Sequence, residues 1–211
     1  MSTTNTFKLS AGGVIKINDS FGYVNVQGWD RPDVEVTVTK STQTRIGDKG
    51  QTRNKAHLDH FRVTTEHPSD AELVISTVPS SHGLIARAKR GILIEYQIRA
   101  PHDAKLAIHH DSGYVLVSDM TADIEATSRF GDIFLMLPHL DTYSVDAKTK
   151  FGGVYTDYAD PAHLRHLIGT GFDRTAKTTP NHRMFLRVGM GGITITEVPA
   201  KPDAPMVVSG D

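Results

Sequence analysis

Histidines and carboxylates carry most of the chemistry that this sequence could perform. The histidine groups with metal-ligand spacing are His109-His110-Asp111, His57 and His60 beside Asp59, and His163 and His166 near Asp160. Neighbouring strand residues point to opposite sides, and a structural zinc ion needs four ligands. None of the groups supplies a complete ligand set. We therefore expect solvated loop histidines, with no bound metal and no other cofactor.

A pair of carboxylates would be needed for the hydrolysis of a polysaccharide. Such enzymes hold two acidic groups about 5–10 Å apart, and Asp132, Asp146 and Asp157 follow successive turns or strands in which they could line up. Aspartates next to threonine and lysine are also what any polar strand face displays. The sequence predicts no catalytic residue and a non-enzymatic protein, with a carbohydrate hydrolase or lyase as the alternative.

Three further features could bind a ligand. The basic run Arg87–Arg90 could touch an anionic polymer, or be a solvated loop beside an apolar strand. The segment Gly189–Gly192 lacks the following helix that a phosphate site needs. An aromatic sugar-binding ladder would require exposed rings. The candidate rings are those of Trp29, Phe21, Phe130 and Phe151. Because they recur at a fixed turn position, we expect them to stack on one another inside or over the edge of the fold.

Composition excludes several classes of protein. The 211 residues contain no cysteine, which excludes disulfide scaffolds, thiol catalysis and iron–sulfur clusters. With 23 Lys and Arg against 24 Asp and Glu, no nucleic-acid partner is expected. The apolar runs are too short to span a bilayer, and residues 1–5 lack the regions of a signal peptide. The polar residues 1–5 favour either a cytoplasmic protein or one whose leader was removed.

One pattern recurs along the chain: apolar residues at i and i+2, glycine at i+7, and apolar residues at i+9 and i+11. The copies centre on Gly22, Gly113, Gly131, Gly152 and Gly191, the last copy being two residues shorter when it starts at Leu186. Apolar residues two apart share one face of a strand. Glycine at a fixed turn position indicates a positive φ or a close backbone approach. Each copy therefore predicts two short strands joined by a glycine turn.

Strands this short and regular predict an all-β protein, a β-solenoid-like stack with about 20 residues per rung. Further strands are expected at Val34–Val38, Leu73–Ile75 and Ile92–Ile98. Residues 40–62 and 158–182 are predicted loops, with two helical turns over Ala162–Ile168. We expect a single domain over residues 1–197 and a proline-rich tail over residues 198–211.

Several of these segments resemble the bacterial putative-adhesin domain, a family of unknown function related to the heads of autotransporter adhesins. The likeness covers roughly residues 7–197. The segments that carry it are Ala11–Ile15, Gly22–Asp30, Val34–Val36, Ile98–Pro101, Ala104–Leu106 and the serial glycine turns.

The resemblance implies a β-solenoid-like stack in an exported or surface-exposed bacterial protein, without catalytic residues or cofactor. We expect a periplasmic, extracellular or cell-surface location. The expected partner is an envelope polysaccharide or another surface protein. A monomer or small oligomer is expected, because the prolines after Ile195 block strand pairing there. A filament-forming scaffold is the remaining alternative.

Overall fold

The computed structural model describes residues 1–42, 61–79, 92–159, 163–164 and 169–199. Within these residues the chain contains β-strands, one 3₁₀ turn at Leu140–Thr142 and no α-helix, which confirms the all-β prediction. The strands are β1 (Ser2–Lys8), β2 (Val14–Trp29), β3 (Asp33–Thr42), β4 (Phe61–Ser69), β5 (Glu72–Pro79), β6 (Ile92–Pro101), β7 (Lys105–Ser118), β8 (Ile124–Phe130), β9 (Ile133–Leu137), β10 (Tyr143–Phe151), β11 (Val154–Thr156), β12 (His163–Leu164), β13 (Thr170–Arg174), β14 (His182–Met190) and β15 (Ile193–Glu197).

All the strands belong to one open, mixed sheet that folds into two layers. Long strands β2 and β7 each contribute one half to either layer, because they bend at Gly22 and Gly113. The first layer runs β4–β5–β2–β7–β8–β14–β10–β13–β12. The second layer runs β1–β3–β6–β2–β7–β9–β15–β11.

The glycine turns divide the centre of the sheet into five units, each with one strand segment on either side of a glycine. The units pair in parallel and in register. These units are β2, β7, β8–β9, β10–β11 and β14–β15. Met184 pairs with Ile124 and Leu186 with Ala126. The last unit therefore starts at Met184, which is fully buried, and the expected two-residue shortening is wrong. A methionine in the first apolar position had hidden the common spacing.

The units do not stack in chain order. β14 lies between β8 and β10, and β15 lies between β9 and β11. The unit that is last in sequence is thus inserted between the third and the fourth. Gly131 and Gly152 belong to consecutive copies of the pattern and are 21 residues apart in sequence, but Gly191 lies between them in the stack. The 21-residue interval is therefore not the length of chain from one stacked unit to the next.

The corner glycines form a column in which each one closely approaches the backbone of the next unit. Gly131 has φ 117°, and a Cβ built on it would overlap the carbonyl oxygen of Gly113. Gly152 has φ 148°, and its Cβ would overlap the carbonyl of Gly191. Both the dihedral angle and the space exclude a side chain at these two corners.

Antiparallel strands close the two ends of the stack. At one end β3 pairs with β6 and β1 pairs with β3, while β4 pairs with β5. At the other end β13 pairs with β10 and β12 with β13. The prediction of helical turns over Ala162–Ile168 is wrong at His163–Leu164, which form a strand. The rest of that segment, the basic run Arg87–Arg90 and most of the predicted loop 40–62 lie outside the described residues.

The core lies between the two layers and contains the inward side chains of all five units, including Ile15, Val26, Leu106 and Ile195. Buried tyrosine hydroxyls are hydrogen-bonded, as buried polar groups must be: Tyr143 donates to the Met120 carbonyl at 3.0 Å. Because side chains alternate along each strand, every second side chain lies on an outer face. The two outer faces differ in charge.

Candidate ligand-binding face

A row of eight side chains without formal charge crosses the outer face of the second layer. Strand register places the eight residues side by side, one from each strand, in the order Thr4, Thr37, Gln97, Asn25, Leu116, Phe134, Thr194 and Tyr155. Neighbouring strands lie about 4.8 Å apart, so the row is about 34 Å long. We call these eight residues the uncharged row.

The half of the row on β1, β3, β6 and β2 carries hydroxyl and amide groups. The Thr4 and Thr37 hydroxyls are hydrogen-bonded to each other at 2.9 Å. Gln97 and Asn25 follow on the next two strands, and each amide offers both donors and an acceptor. This half can exchange hydrogen bonds with a ligand without placing a charge against it.

The other half of the row is apolar and aromatic. Phe134 is 37% exposed and Tyr155 is 67% exposed. Thr194 lies between these two residues, and Leu116 lies on the other side of Phe134. The Tyr155 ring lies over Gly153, since a Cβ at Gly153 would sit 2.8 Å from the ring. The backbone therefore supports one side of this ring while much of the side chain remains open to solvent.

Two tyrosines stack beside the row. The rings of Tyr23 and Tyr114 are 4.1 Å apart between centroids and 21° from parallel. Burial raises the pKa of the Tyr114 hydroxyl above its ordinary value, and the nearby Tyr23 and Glu95 raise it further. The Tyr114 phenol therefore stays neutral at physiological pH and keeps its proton for hydrogen bonding.

Charged groups flank the uncharged row, among them Glu95 beside Tyr23, and two of them have contacts within the protein. Arg99 lies 3.6 Å from Glu35 on the neighbouring strand. Asp132 accepts a hydrogen bond of 2.6 Å from the Gly192 amide. These contacts leave the uncharged row itself as the distinctive feature of the second layer.

The outer face of the first layer is charged instead. The corresponding row across its strands is Lys16, Ala107, Glu125, Phe185, Asp146 and Asp173. Arg187 and Lys148 both bind Asp146, at 2.5 and 2.8 Å. Burial raises the pKa of Asp146, but the hydrogen bonds from Arg187 and Lys148 outweigh it, and the pKa falls below its usual value. Most of these charges neutralise one another within the face.

A groove of about 440 Å³ also lies on the first layer, beside the middle of β7 and the C-terminal ends of β8 and β14. Its lining includes His109, Arg129 and Arg187, three side chains that could bind an anion. Each of them already has a contact within the protein. His109 Nδ1 lies 2.9 Å from the Thr127 hydroxyl, Arg129 lies 3.5 Å from Asp111, and Arg187 binds Asp146. The groove is therefore a weaker candidate than the uncharged row.

The residues singled out for metal binding are not assembled into a site. His109 is exposed and His110 is buried, so the adjacent histidines point to opposite sides of β7. No group of three histidine or acidic side chains that could hold a metal ion occurs in the described part of the chain. His57, Asp59, His60, Asp160 and His166 lie outside the described residues, as does the side chain of His163.

The three aspartates considered for catalysis are separate from one another. Asp132 binds the Gly192 amide, Asp146 binds two cations, and Asp157 accepts a 2.9 Å hydrogen bond from the Glu197 amide. The units carrying Asp132 and Asp146 are separated by the inserted unit β14–β15. The geometry does not bring two of them together.

The turn aromatics differ from the expected stack. Phe21 is buried against Phe61, with ring centroids 4.8 Å apart, whereas Phe130 and Phe151 are about half exposed. Met190 pairs with both Phe130 and Phe151 and separates them. Trp29 donates a 2.8 Å hydrogen bond to the Asp33 carbonyl. The four rings therefore do not form one ladder.

Comparison with known proteins adds evidence on the fold. No protein family and no curated protein sequence matches this chain. The crystal structure of a "putative cell adhesion protein" from Clostridium sporogenes superposes with a TM-score of 0.53 at 12% identity, over 94% of this chain and 99% of that one. That of a "putative adhesin" from Bacteroides fragilis gives a TM-score of 0.31 at 9% identity, over 94% and 97%. The Clostridium protein shares the fold.

A "putative lipid binding protein" from Parabacteroides distasonis gives a TM-score of 0.26 at 10% identity, over 74% of this chain and 70% of that one. Within the described residues, no helix is long and apolar enough to cross a bilayer.

Proposed function

We propose that this chain is a non-enzymatic bacterial surface protein of the adhesin type, and that the outer face of its second layer is the ligand-binding surface. The uncharged row carries the proposal, because an exposed, uncharged and partly aromatic strip on a rigid sheet is suited to binding rather than to catalysis. The separation of Asp132, Asp146 and Asp157 supports a non-enzymatic role.

We further propose that the architecture is β-solenoid-like, with the glycine-turn units as its rungs and one rung inserted out of chain order. The single domain covers residues 1–197, and residues 198–211 form a tail. The fold shared with the Clostridium protein, itself named for cell adhesion, supports membership of the putative-adhesin domain family. A periplasmic or cell-surface location follows from that assignment.

Binding to immobilised surfaces tests the proposed function. Wells would be coated with mucin, fibronectin, collagen, cellulose or peptidoglycan. Wild-type protein should bind at least one of these surfaces, and Phe134→Lys or Tyr155→Lys should abolish most of that binding by placing a charge in the uncharged row. Ala107→Lys adds the same charge to an outward position of the first layer and should bind as wild type does.

Two results would contradict the proposal. One is equal loss of binding in the Ala107→Lys control, which would assign the effect to net charge alone. The other is unchanged binding in both second-layer variants, which would place the ligand elsewhere on the molecule.

A further inference from the structure

We infer that the uncharged row binds an extended chain of a neutral polysaccharide, an inference that rests on the proposed function and specifies its ligand. The argument uses the charge, the chemistry and the shape of the row.

The charge of the row selects against ionic ligands. The chain contains 47 charged residues among 211, yet all eight residues of the uncharged row are neutral. A sulfated or carboxylated polymer would therefore find no cation within the row. It would also meet Glu95 next to Tyr23 on one side, while Arg99 on the other side is paired with Glu35. A neutral ligand has no charged group that would be left without a partner at this surface.

The chemistry of the row matches the two kinds of surface that a sugar presents. Sugar hydroxyls need donors and acceptors, which Asn25, Gln97 and the threonines supply. The C–H face of a sugar ring carries partial positive charge and fits against the negative face of an aromatic ring. Phe134 and Tyr155 offer such rings at one half of the row. A protein partner would instead favour a contiguous apolar patch, whereas polar side chains make up half of the row and Thr194 separates Phe134 from Tyr155.

The shape of the row suits a chain rather than a single sugar. The row is continuous across eight paired strands, over a length of about 34 Å. The Tyr155 ring is held over Gly153 at one end, so little ordering is needed when a ligand arrives. Affinity for oligosaccharides should therefore continue to rise beyond the disaccharide.

Affinity electrophoresis with defined polysaccharides tests the inference. The neutral probes would be hydroxyethyl cellulose, dextran, mannan and galactomannan, and the charged probes carboxymethyl cellulose and dextran sulfate. At least one neutral probe should retard the wild-type protein, and its charged counterpart should retard it less. Tyr155→Ala and Phe134→Ala should each weaken binding by about five- to ten-fold. Glu125→Ala, an outward position in the first layer, should leave it unchanged.

Each other outcome overturns the inference in a distinguishable way. Retardation by the charged probes alone would show that the ligand is ionic. A dimer that light scattering detects in the wild type and not in Tyr155→Ala would show that a second copy covers the row. Binding to fibronectin or collagen that Phe134→Lys abolishes, with no retardation by any neutral probe, would refute the polysaccharide while preserving the proposed function. No binding in either assay would refute both.

Discussion

The corner glycines show how one atom per residue sets the spacing of the stack. At each corner the peptide backbone of one unit lies where the Cβ of the next would be, as for Gly131 above the Gly113 carbonyl. A side chain would therefore have to push two units apart, in addition to adopting an unfavourable φ.

Substitution at Gly131 should be costly for both reasons. We expect Gly131→Val to lower the free energy of unfolding by more than about 1 kcal/mol, measured by urea denaturation. Gly12 provides a control that separates the two effects, because it has φ 68° but nothing within 4 Å of its missing Cβ. Gly12→Ala should cost less than Gly131→Ala. Unchanged stability in Gly131→Val and Gly152→Val alike would contradict the role of the corner column.

Buried tyrosines should make the protein sensitive to alkaline pH. Burial raises the pKa of Tyr96 to about 12, although its hydrogen bond with Thr77 lowers it somewhat. Burial also raises the pKa of Tyr143 and of Tyr158. A tyrosine with a folded pKa above its unfolded value of about 10 contributes stability that is complete below pH 10 and lost as the pH rises towards 12.

Thermal melts between pH 8 and pH 12 measure this effect. The melting temperature should fall steeply above pH 10, and the fall should be shallower in Tyr96→Phe, where one titrating group is absent. Tyr155→Phe removes a tyrosine that is mostly exposed and should follow the wild-type curve. A flat profile up to pH 12 would show that these hydroxyls ionise without unfolding the protein.

At the scale of the strands, the inserted unit β14–β15 has a neighbouring unit on both sides. β14 pairs with β8 and β10, and β15 pairs with β9 and β11. β1, in contrast, pairs with β3 at one end of the sheet order, and most of its side chains are exposed.

Hydrogen exchange should reflect this difference in position. Amides of β14, around Leu186, should exchange among the slowest in the protein, because their release requires the stack to open on two sides. Amides of β1, around Thr4, should exchange early by local fraying. Mass spectrometry of peptides from exchanged protein provides the measurement. Equal rates in β14 and β1 would mean that the stack opens as one unit.

The paired strands and the glycine turns followed from residue spacing, but the order of stacking did not. Spacing predicts which side chains face the core within a unit. It does not distinguish one stacking order from another, because units with the same offsets can pair with any of their number. Met184 shows a smaller failure, in which the last copy was started at Leu186 although the apolar Met184 occupies its first position.

The uncharged row was not predicted, for a related reason. Tyr155, Thr194, Phe134 and Leu116 all occupy outward positions that alternate with buried strand residues. Their alignment depends on the register between strands far apart in sequence. Thr4, Thr37 and Gln97 lie outside the repeated pattern altogether. Antiparallel pairing of β1 with β3 and of β3 with β6 aligns these three residues.

At the scale of the whole molecule, the two outer faces differ in charge. Charged pairs cover the first layer, while the second layer presents an uncharged surface. Within the described sheet, β4 and β12 are the edge strands of the first layer, and β1 and β11 are those of the second. β1 consists mainly of serine, threonine and asparagine, and its one large apolar residue, Phe7, packs against the core, so the strand offers little apolar surface for edge-to-edge association.

We therefore expect a mass of one or two chains by light scattering at micromolar concentration. The prolines after Ile195 were expected to block strand pairing there, but β15 is already paired with β9 and β11. Removing residues 198–211 should therefore leave the mass unchanged. Ordered filaments of the intact protein would contradict this expectation and favour a scaffold.

The insertion of β14–β15 has a consequence for how the protein is made. A ribosome delivers β8–β9 and β10–β11 in succession, but the unit that belongs between them only emerges some 26 residues after β11, since β14 begins at His182 and β11 ends at Thr156. During that interval β8 and β9 each have an edge without its final partner. Correct assembly thus requires that β10–β11 does not pair with β8–β9 before β14–β15 has been made.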